Sequence, residues 1–511
     1  MTAFHKNGQN SSTESDNVRI LSEIHALTGL TMPRDILHTF VLGLVLCQGC
    51  NLASLSDCET DSDCPDQQWC NPQGKFCELD QRPATIGLLI RDPRDAEQLQ
   101  EAVDATTLAA EIINEAGGVL GRRLEVVPRF QEDIPGGFTE VEKQLHRQAV
   151  RELSAEGVIG IVGTQGSSST LEVADEAFPL QTVVVAPSAT TPELSSSQPA
   201  RDRYAFRTAV PVGLGEAAAA VRFTTDVLSC GRIVFVREGN MSAFGNGYDA
   251  EYTRLLAAAG QCLALRIVVP ENTKPSYPDT IQRLIEEQPD CIVMLTSNRT
   301  GTQILFDYRE RQAEFTGPPA FVGGSGFNAT SFVEGGRYSV GEATPNAAEG
   351  VYITRGRVDE TRQSARLVRD LFNTRFGHAV DRDLRFPGFY DSVMLLALGA
   401  TAGGSLTDRV AIRDGIWSVT QRTADHALIQ ASEYERAARG LSTGQSIKYL
   451  GASGDLDFDD FGDAAGATAI WQLKQGAFVL TQAFSIQDSL DLNARPPGSC
   501  PEPPRFEAPV E

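Results

Sequence analysis

Two short runs of β-branched and aliphatic residues, 158–162 and 182–185, each empty into a loop of hydroxyls and small residues. The first loop reads Gly163-Thr164-Gln165-Gly166-Ser167-Ser168-Ser169-Thr170, the second Ala186-Pro187-Ser188-Ala189-Thr190-Thr191-Pro192-Glu193-Leu194. Apolar runs of this length read as parallel strands buried on both faces. In open α/β sheets, ligands bind at the carboxyl ends of such strands. A helix following Ser167 would aim its unpaired N–H groups at the same crevice. The two loops therefore predict a pocket for a small polar ligand carrying a carboxylate or similar group. The competing reading is that the hydroxyls only cap helices; two consecutive loops of this kind favour the pocket.

The same alternation runs through most of the chain. Residues 85–90 read as a first strand and 102–116 as a helix that stops at Gly117-Gly118. Residues 124–127 give a further strand. A second set of strands covers 232–236, 264–269, 291–295 and 320–322, with helices at 248–259 and 280–287 between them. Helices at 362–376 and 390–402 follow. The expected fold class is α/β, with parallel sheets, crossover helices and two Rossmann-like lobes. A cleft between lobes is a preferred place for a small-molecule site. Its lining is expected from the strand ends: Asp92 after the first strand, Glu238 after the first strand of the second lobe, then Ser297, Asn298 and Ser325. For any one charged residue among these, solvated loop decoration is the simpler explanation.

At 511 residues and 41% apolar content, the chain can bury a sizeable core in more than one domain. A net charge of −23, with no basic run, argues against a nucleic-acid partner. Residues 36–46 form an apolar run behind Arg34, too short for the ~20 residues that span a bilayer. It suits the core of a signal peptide, and a start at Met32 would suit it better than one at Met1. The run ends at Cys47-Gln48-Gly49-Cys50, which resembles a bacterial lipoprotein signal with Cys50 as the lipidated residue; an ordinary cleaved signal is the alternative. Either reading implies an exported protein in the periplasm or cell envelope. Cys58, Cys64, Cys70 and Cys77 lie in a polar segment too small to make a core, and read as two disulfides. Three connectivities are open. Cys230, Cys262 and Cys291 open three strands of the second lobe; Cys230–Cys262 is the expected pair, leaving Cys291 for Cys500 or free.

Nothing in the sequence asks for a cofactor, a metal or catalysis. The six histidines are scattered without metal spacing, and His146 and His378 read as solvent-facing. Gly323-Gly324-Ser325-Gly326-Phe327 falls short of a Gly-x-Ser-x-Gly elbow at its last position. Gly117 to Gly121 follows a helix and precedes a strand, the reverse of a dinucleotide loop.

From residue 83 to about 491 the chain resembles the bacterial branched-chain amino-acid-binding proteins, whose type I periplasmic binding fold serves ABC importers. Four blocks carry the resemblance: Ala109-Ala110-Glu111-Ile112-Ile113-Asn114-Glu115-Ala116-Gly117-Gly118 with the strand after it; the two loops within 163–194; Phe389-Tyr390-Asp391-Ser392-Val393; and Gly454-Asp455-Leu456-Asp457-Phe458-Asp459-Asp460-Phe461-Gly462-Asp463 with Ile470-Trp471-Gln472-Leu473. The resemblance implies a clamshell with three interlobe crossovers that closes on its ligand. It assigns 83–208 with 350–450 to the first lobe and 209–349 with 451–491 to the second; composition gives 1–50 as the signal segment, 51–82 as the Cys-rich module and 492–511 as a Pro-rich tail, extended or disordered. The resemblance further implies that Ser167, Ser188 and Thr190, with neighbouring Ser168 and Ala189, hold the carboxylate and ammonium of an amino-acid ligand. Phe244 stands where the family has a ligand-packing Tyr. Ser325 stands where the family has the acid that pairs with the ammonium. Either Glu238 or Asp92 replaces that acid, or the ligand is not a free α-amino acid, and the reading leans to the latter. The implied partners are a small-molecule ligand and an ABC permease. A ligand sensor that signals to another protein is the alternative. The stretch 421–445 is absent from the family plan and is expected to cover the first lobe or dock a partner.

Overall fold

A computed structural model describes residues 58–59, 63–64, 68–71, 75–79, 82–91, 96–131, 139–239, 243–270, 275–327, 330–336, 346–377 and 385–508. The expectations for Cys50, Asp92 and His378 fall outside the described residues. The chain divides into two units, Met1–Gln81 and Arg82–Glu511. In the first, β1 (Gln68–Asn71) and β2 (Phe76–Leu79) form an antiparallel hairpin. Disulfides Cys58–Cys70 and Cys64–Cys77 staple it, which chooses one of the three connectivities.

The second unit holds two α/β lobes. The first-lobe sheet contains β3 (Ala84–Arg91), β4 (Leu124–Gln131), β5 (Ile161–Gly163), β6 (Val184–Ala186) and β7 (Ala205–Arg207), all parallel in the order β4-β3-β5-β6-β7. Alternate residues point to opposite faces. Ile86, Leu88 and Ile90 meet the helices Ala96–Glu115 and Arg385–Gly403, while Leu89 and Ile161 meet Glu140–Ala155 and Ser167–Ala177. His146, on the helix Glu140–Ala155, is buried rather than solvent-facing. Its Nδ1–H donates to the Glu142 carbonyl at 2.7 Å, so the ring serves its own helix.

The second-lobe sheet is built from β8 (Ile233–Glu238), β9 (Leu265–Val269), β10 (Cys291–Leu295), β11 (Ala320–Gly323) and β12 (Tyr352–Gly356). Between these and its remaining strands the chain returns to the first lobe, where β13 (Ala427–Gln430) and β14 (Ile447–Leu450) form a separate parallel pair. The stretch 421–445 thus covers the first lobe, burying Ile429, Tyr434 and Ala437 in its core. The second-lobe sheet is completed by β15 (Thr468–Lys474), β16 (Ala477–Phe484) and β17 (Arg505–Glu507), in the order β16-β15-β12-β11-β10-β8-β9-β17.

Three crossovers join the lobes, after β7, after β12 and before β15. Because β12 pairs with β11, the second crossover follows Gly356 instead of falling near residue 350. Leu456, Phe458 and Ala464 pack in the first-lobe core, so the return crossover comes just before Thr468 rather than near 450. The Asp-rich return segment is stapled to the first lobe by separate ion pairs: Asp455 with Arg362, Asp457 with Lys448, Asp460 with Arg201 and Asp463 with Arg207.

The cysteines of this lobe correct one expectation. Cys230 bonds to Cys291 and Cys262 to Cys500; the Cys230–Cys262 pair does not form. Strand order alone leaves two partners open to Cys230, because β8 lies between β9 and β10; the tail decides by bringing Cys500 to Cys262. Cys291 opens β10, which pairs with β8 just after Cys230. Cys262 lies ahead of β9, whose outer edge receives the tail strand β17. The tail is therefore extended and hydrogen-bonded, with Ala508 N–H donating to the Val268 carbonyl at 2.9 Å.

Candidate functional site

Val162 of β5 is in register with Val185 of β6, so the two hydroxyl-rich loops leave the sheet side by side. Gly166 precedes the helix Ser167–Ala177 and no side chain caps it. The first-turn N–H groups of this helix, and the buried Ser167, thus face the loops without the competing capping role. Beneath them Thr164 Oγ1 contacts Ser169 Oγ at 2.5 Å and Thr170 Oγ1 at 3.0 Å. Ser188 donates its hydroxyl to the Gln165 carbonyl at 2.8 Å, tying the second loop to the first. Ala189 is buried beside it, and the Thr190 carbonyl accepts from Val212 N–H at 2.8 Å.

The loop 188–195 is held from below by two buried arginines that the sequence reading did not single out. Arg203 donates to the Leu194 and Ser195 carbonyls at 2.6 and 2.9 Å. Burial pushes its guanidinium down to about 10. Arg207 donates to the Thr191 carbonyl at 2.7 Å, to the Ala189 carbonyl at 3.3 Å, and from two nitrogens to Asp463.

The second-lobe wall collects Glu238, Phe244, Ser297, Asn298 and Ser325 at the carboxyl end of its sheet. Ser297 caps the helix Asn298–Arg311, accepting from Thr300 N–H at 3.3 Å, and donates to Glu238 Oε1 at 2.8 Å. Capping is thus the role shown for Ser297, and Glu238 is engaged there. The carboxylate beside Ser325 is a different one: Glu216 Oε2 accepts the Ser325 N–H at 3.0 Å. Gly324, the next residue back, faces both Glu216 and the Phe244 ring; a Cβ built on it would lie 3.6 Å from the carboxylate oxygen and 3.5 Å from the ring edge. Burial and then the charge of Glu216 push the Tyr248 phenol well up. In sequence, Glu216 opens an alanine-rich helix, where an acid reads as a complement to the helix dipole. That reading conceals it.

The two walls touch. Ser168 Oγ accepts from Ala243 N–H at 3.2 Å, and Thr191 Oγ1 donates to the Ala243 carbonyl at 3.2 Å. Ala243 begins the second-lobe helix Ala243–Ala258, and Gly247 one turn later faces Pro192 of the first-lobe loop. Among the described residues, the one cluster with metal-ligating donors is Cys58, Cys64 and Cys77, and all three are in disulfides.

A family model described as "Periplasmic binding protein" matches residues 85–447, well over half of the chain. The chain belongs to the periplasmic binding protein family. No curated protein matches it. Among solved structures, the leucine-binding protein LivK of Thermotoga maritima is 19% identical, with a TM-score of 0.59 over 79% of this chain and 99% of its own. The branched-chain amino-acid transporter substrate-binding protein LivJ of Streptococcus pneumoniae, in complex with isoleucine, is 17% identical, with a TM-score of 0.57 over 79% and 99%. A solute-binding protein of an ABC transporter from Rhodopseudomonas palustris, in complex with 3,4-dihydroxybenzoic acid, is 16% identical, with a TM-score of 0.54 over 79% and 98%. At these identities the likeness is one of fold. Among the described residues, no helix is long and apolar enough to cross a membrane.

Proposed function

We propose that this periplasmic binding protein is an exported solute-binding protein. It captures a small polar ligand bearing a carboxylate between its lobes and delivers it to an ABC importer. The observation that carries this reading is the pair of hydroxyl-rich loops at the ends of β5 and β6, the first leading into a helix with no side-chain cap, in direct contact with the second-lobe helix at Ala243. Backbone N–H groups at a helix start attract the anionic end of a ligand. Ser167, Ser188, Ala189 and Thr190 are the proposed first-lobe residues, and Phe244, Ser325 and Glu216 the proposed second-lobe residues. Glu238 and Asn298 flank them. Four disulfides fit a chain folded in an oxidising compartment, with Cys50 as the proposed lipid anchor. Proteins of the same fold crystallised with isoleucine and with 3,4-dihydroxybenzoic acid, both carboxylates, are in keeping with this reading.

The test is a thermal-shift screen of the purified protein against amino acids, their deaminated analogues, amides and small carboxylates. A ligand that binds only the folded state raises the melting temperature by mass action. A shift with one or more carboxylate-bearing compounds is the expected result. No shift across the whole panel would refute the reading.

A further inference from the structure

The charged network beneath the ligand loop reaches further than support. We propose that Arg207 and Asp463 are positioning residues for lobe closure, holding Thr191 where its hydroxyl latches the second lobe at Ala243. This inference rests on the solute-binding reading above.

Arg207 ends β7 at the first crossover, and Asp463 lies in the segment leading to the third; the two are 256 residues apart in sequence. Both are nine-tenths or more buried. Besides its bonds to Asp463 and to the Thr191 and Ala189 carbonyls, Arg207 donates to Ser195 Oγ at 2.5 Å. Ser195 in turn donates to Asp463 Oδ2 at 2.6 Å. Isolated buried ion pairs seldom add net stability against an apolar replacement. A guanidinium whose donors are shared between the crossover carboxylate and two loop carbonyls does something an apolar pair cannot: it fixes the loop relative to the hinge. Thr191 is the residue that this fixes most directly, and it is fully buried. Its carbonyl is held by Arg207, and its hydroxyl donates across the cleft to Ala243. The Ala243 N–H is among the first N–H groups of its helix, which have no partner within the helix; Ser168 supplies the acceptor. An unbroken chain of contacts therefore runs from Asp463 through Arg207 and Thr191 to the second lobe. Opening the cleft breaks the two bonds at Ala243 whatever ligand is present, so the latch contributes equally to the affinity for every ligand. Ser168 is then a closure residue rather than a ligand contact.

The test uses the full chain and three probes: L-leucine, its deaminated analogue 4-methylpentanoate, and benzoate. Thr191→Val keeps the shape and removes the donor, and Ser168→Ala removes the acceptor. Each should weaken every probe that wild type binds by a similar factor, roughly two- to tenfold for one hydrogen bond. A loss confined to one probe, or no loss, overturns the proposal. Asp463→Asn should also weaken all bound probes. If it acts through Thr191, the double variant with Thr191→Val is no weaker than the more severe single; additive losses overturn the positioning role. Should Asp463→Asn fail to fold, Arg207→Lys, which keeps the charge and loses the planar fork, replaces it in the same cycle. If wild type binds none of the probes, a ligand found in the thermal-shift screen and its nearest analogue take their place, and the same equal loss is required of each variant.

Discussion

Replacing Gly247 by alanine should separate affinity from stability. Gly247 lies inside the helix Ala243–Ala258 and faces the first-lobe loop. A Cβ built there would stand 3.0 Å from Pro192 Cγ, closer still to Pro192 Cδ, and 3.3 Å from Thr191 Oγ1. Carbon atoms pack at about 3.5–4.0 Å, so the lobes must part by about 1 Å at this point. The bonds of Ser168 and Thr191 to Ala243 are already 3.2 Å long. Lengthening both by that much takes them outside hydrogen-bond range. At about 0.5–1.5 kcal/mol each, the closed form loses about 1–3 kcal/mol relative to the open form. Affinity should then fall by about 5- to 150-fold. Within the helix the same change is favourable, by about 1 kcal/mol. The assay pairs calorimetric titration of a ligand found in the thermal-shift screen with thermal unfolding in its absence. The expected outcome is weaker binding in a protein that melts no earlier than wild type. A variant that binds as tightly as wild type would refute the account of how the lobes meet.

Three further outcomes are expected. Glu216→Gln should move the ratio of affinities between an ammonium-bearing ligand and its deaminated analogue about tenfold toward the analogue, because a charge-assisted contact is lost; an unchanged ratio in paired titrations would remove Glu216 from the site. Cys500→Ser opens a disulfide spanning 238 residues and should cost about 2–5 kcal/mol in denaturant unfolding, with new protease cleavage between residues 495 and 507. Gly415→Ala should destabilise by about 1–3 kcal/mol, since a Cβ there runs into the Gly399 carbonyl and comes within 2.9 Å of Gly403 N; Gly317→Ala, with nothing within 4 Å, is the control and should change the melting temperature little.

The strands and both hydroxyl-rich loops were legible because their signals are local. Runs such as 233–236 and Cys291–Leu295 are apolar throughout, as strands covered on both faces must be. The features that escaped depend on distant partners. Nothing near Arg207 in sequence announces Asp463, and the acid at Glu216 reads locally as helix chemistry. The Cys230–Cys262 expectation failed although β8 and β9 are neighbours, because β8 also borders β10, and Cys262 is taken by Cys500 of the tail. The true neighbours depend on β8 standing between β9 and β10, and on a tail that supplies the last strand. The proline-rich composition of that tail hides a strand of three residues, Arg505–Glu507, too short for periodicity to reveal.

That last strand bears on how the protein can be made. The second-lobe sheet draws on residues 233–356, 468–484 and 505–507, while the first-lobe core waits for the helix Arg385–Gly403 and for residues up to Ala464. Neither lobe can finish until most of the polypeptide has emerged, and the seal at Cys500 closes only at the very end. Contacts between segments so far apart form slowly. In a chain threaded unfolded through a membrane channel, such a layout keeps the portion still on the near side from completing a lobe that would jam the passage, because the segments it needs have already crossed.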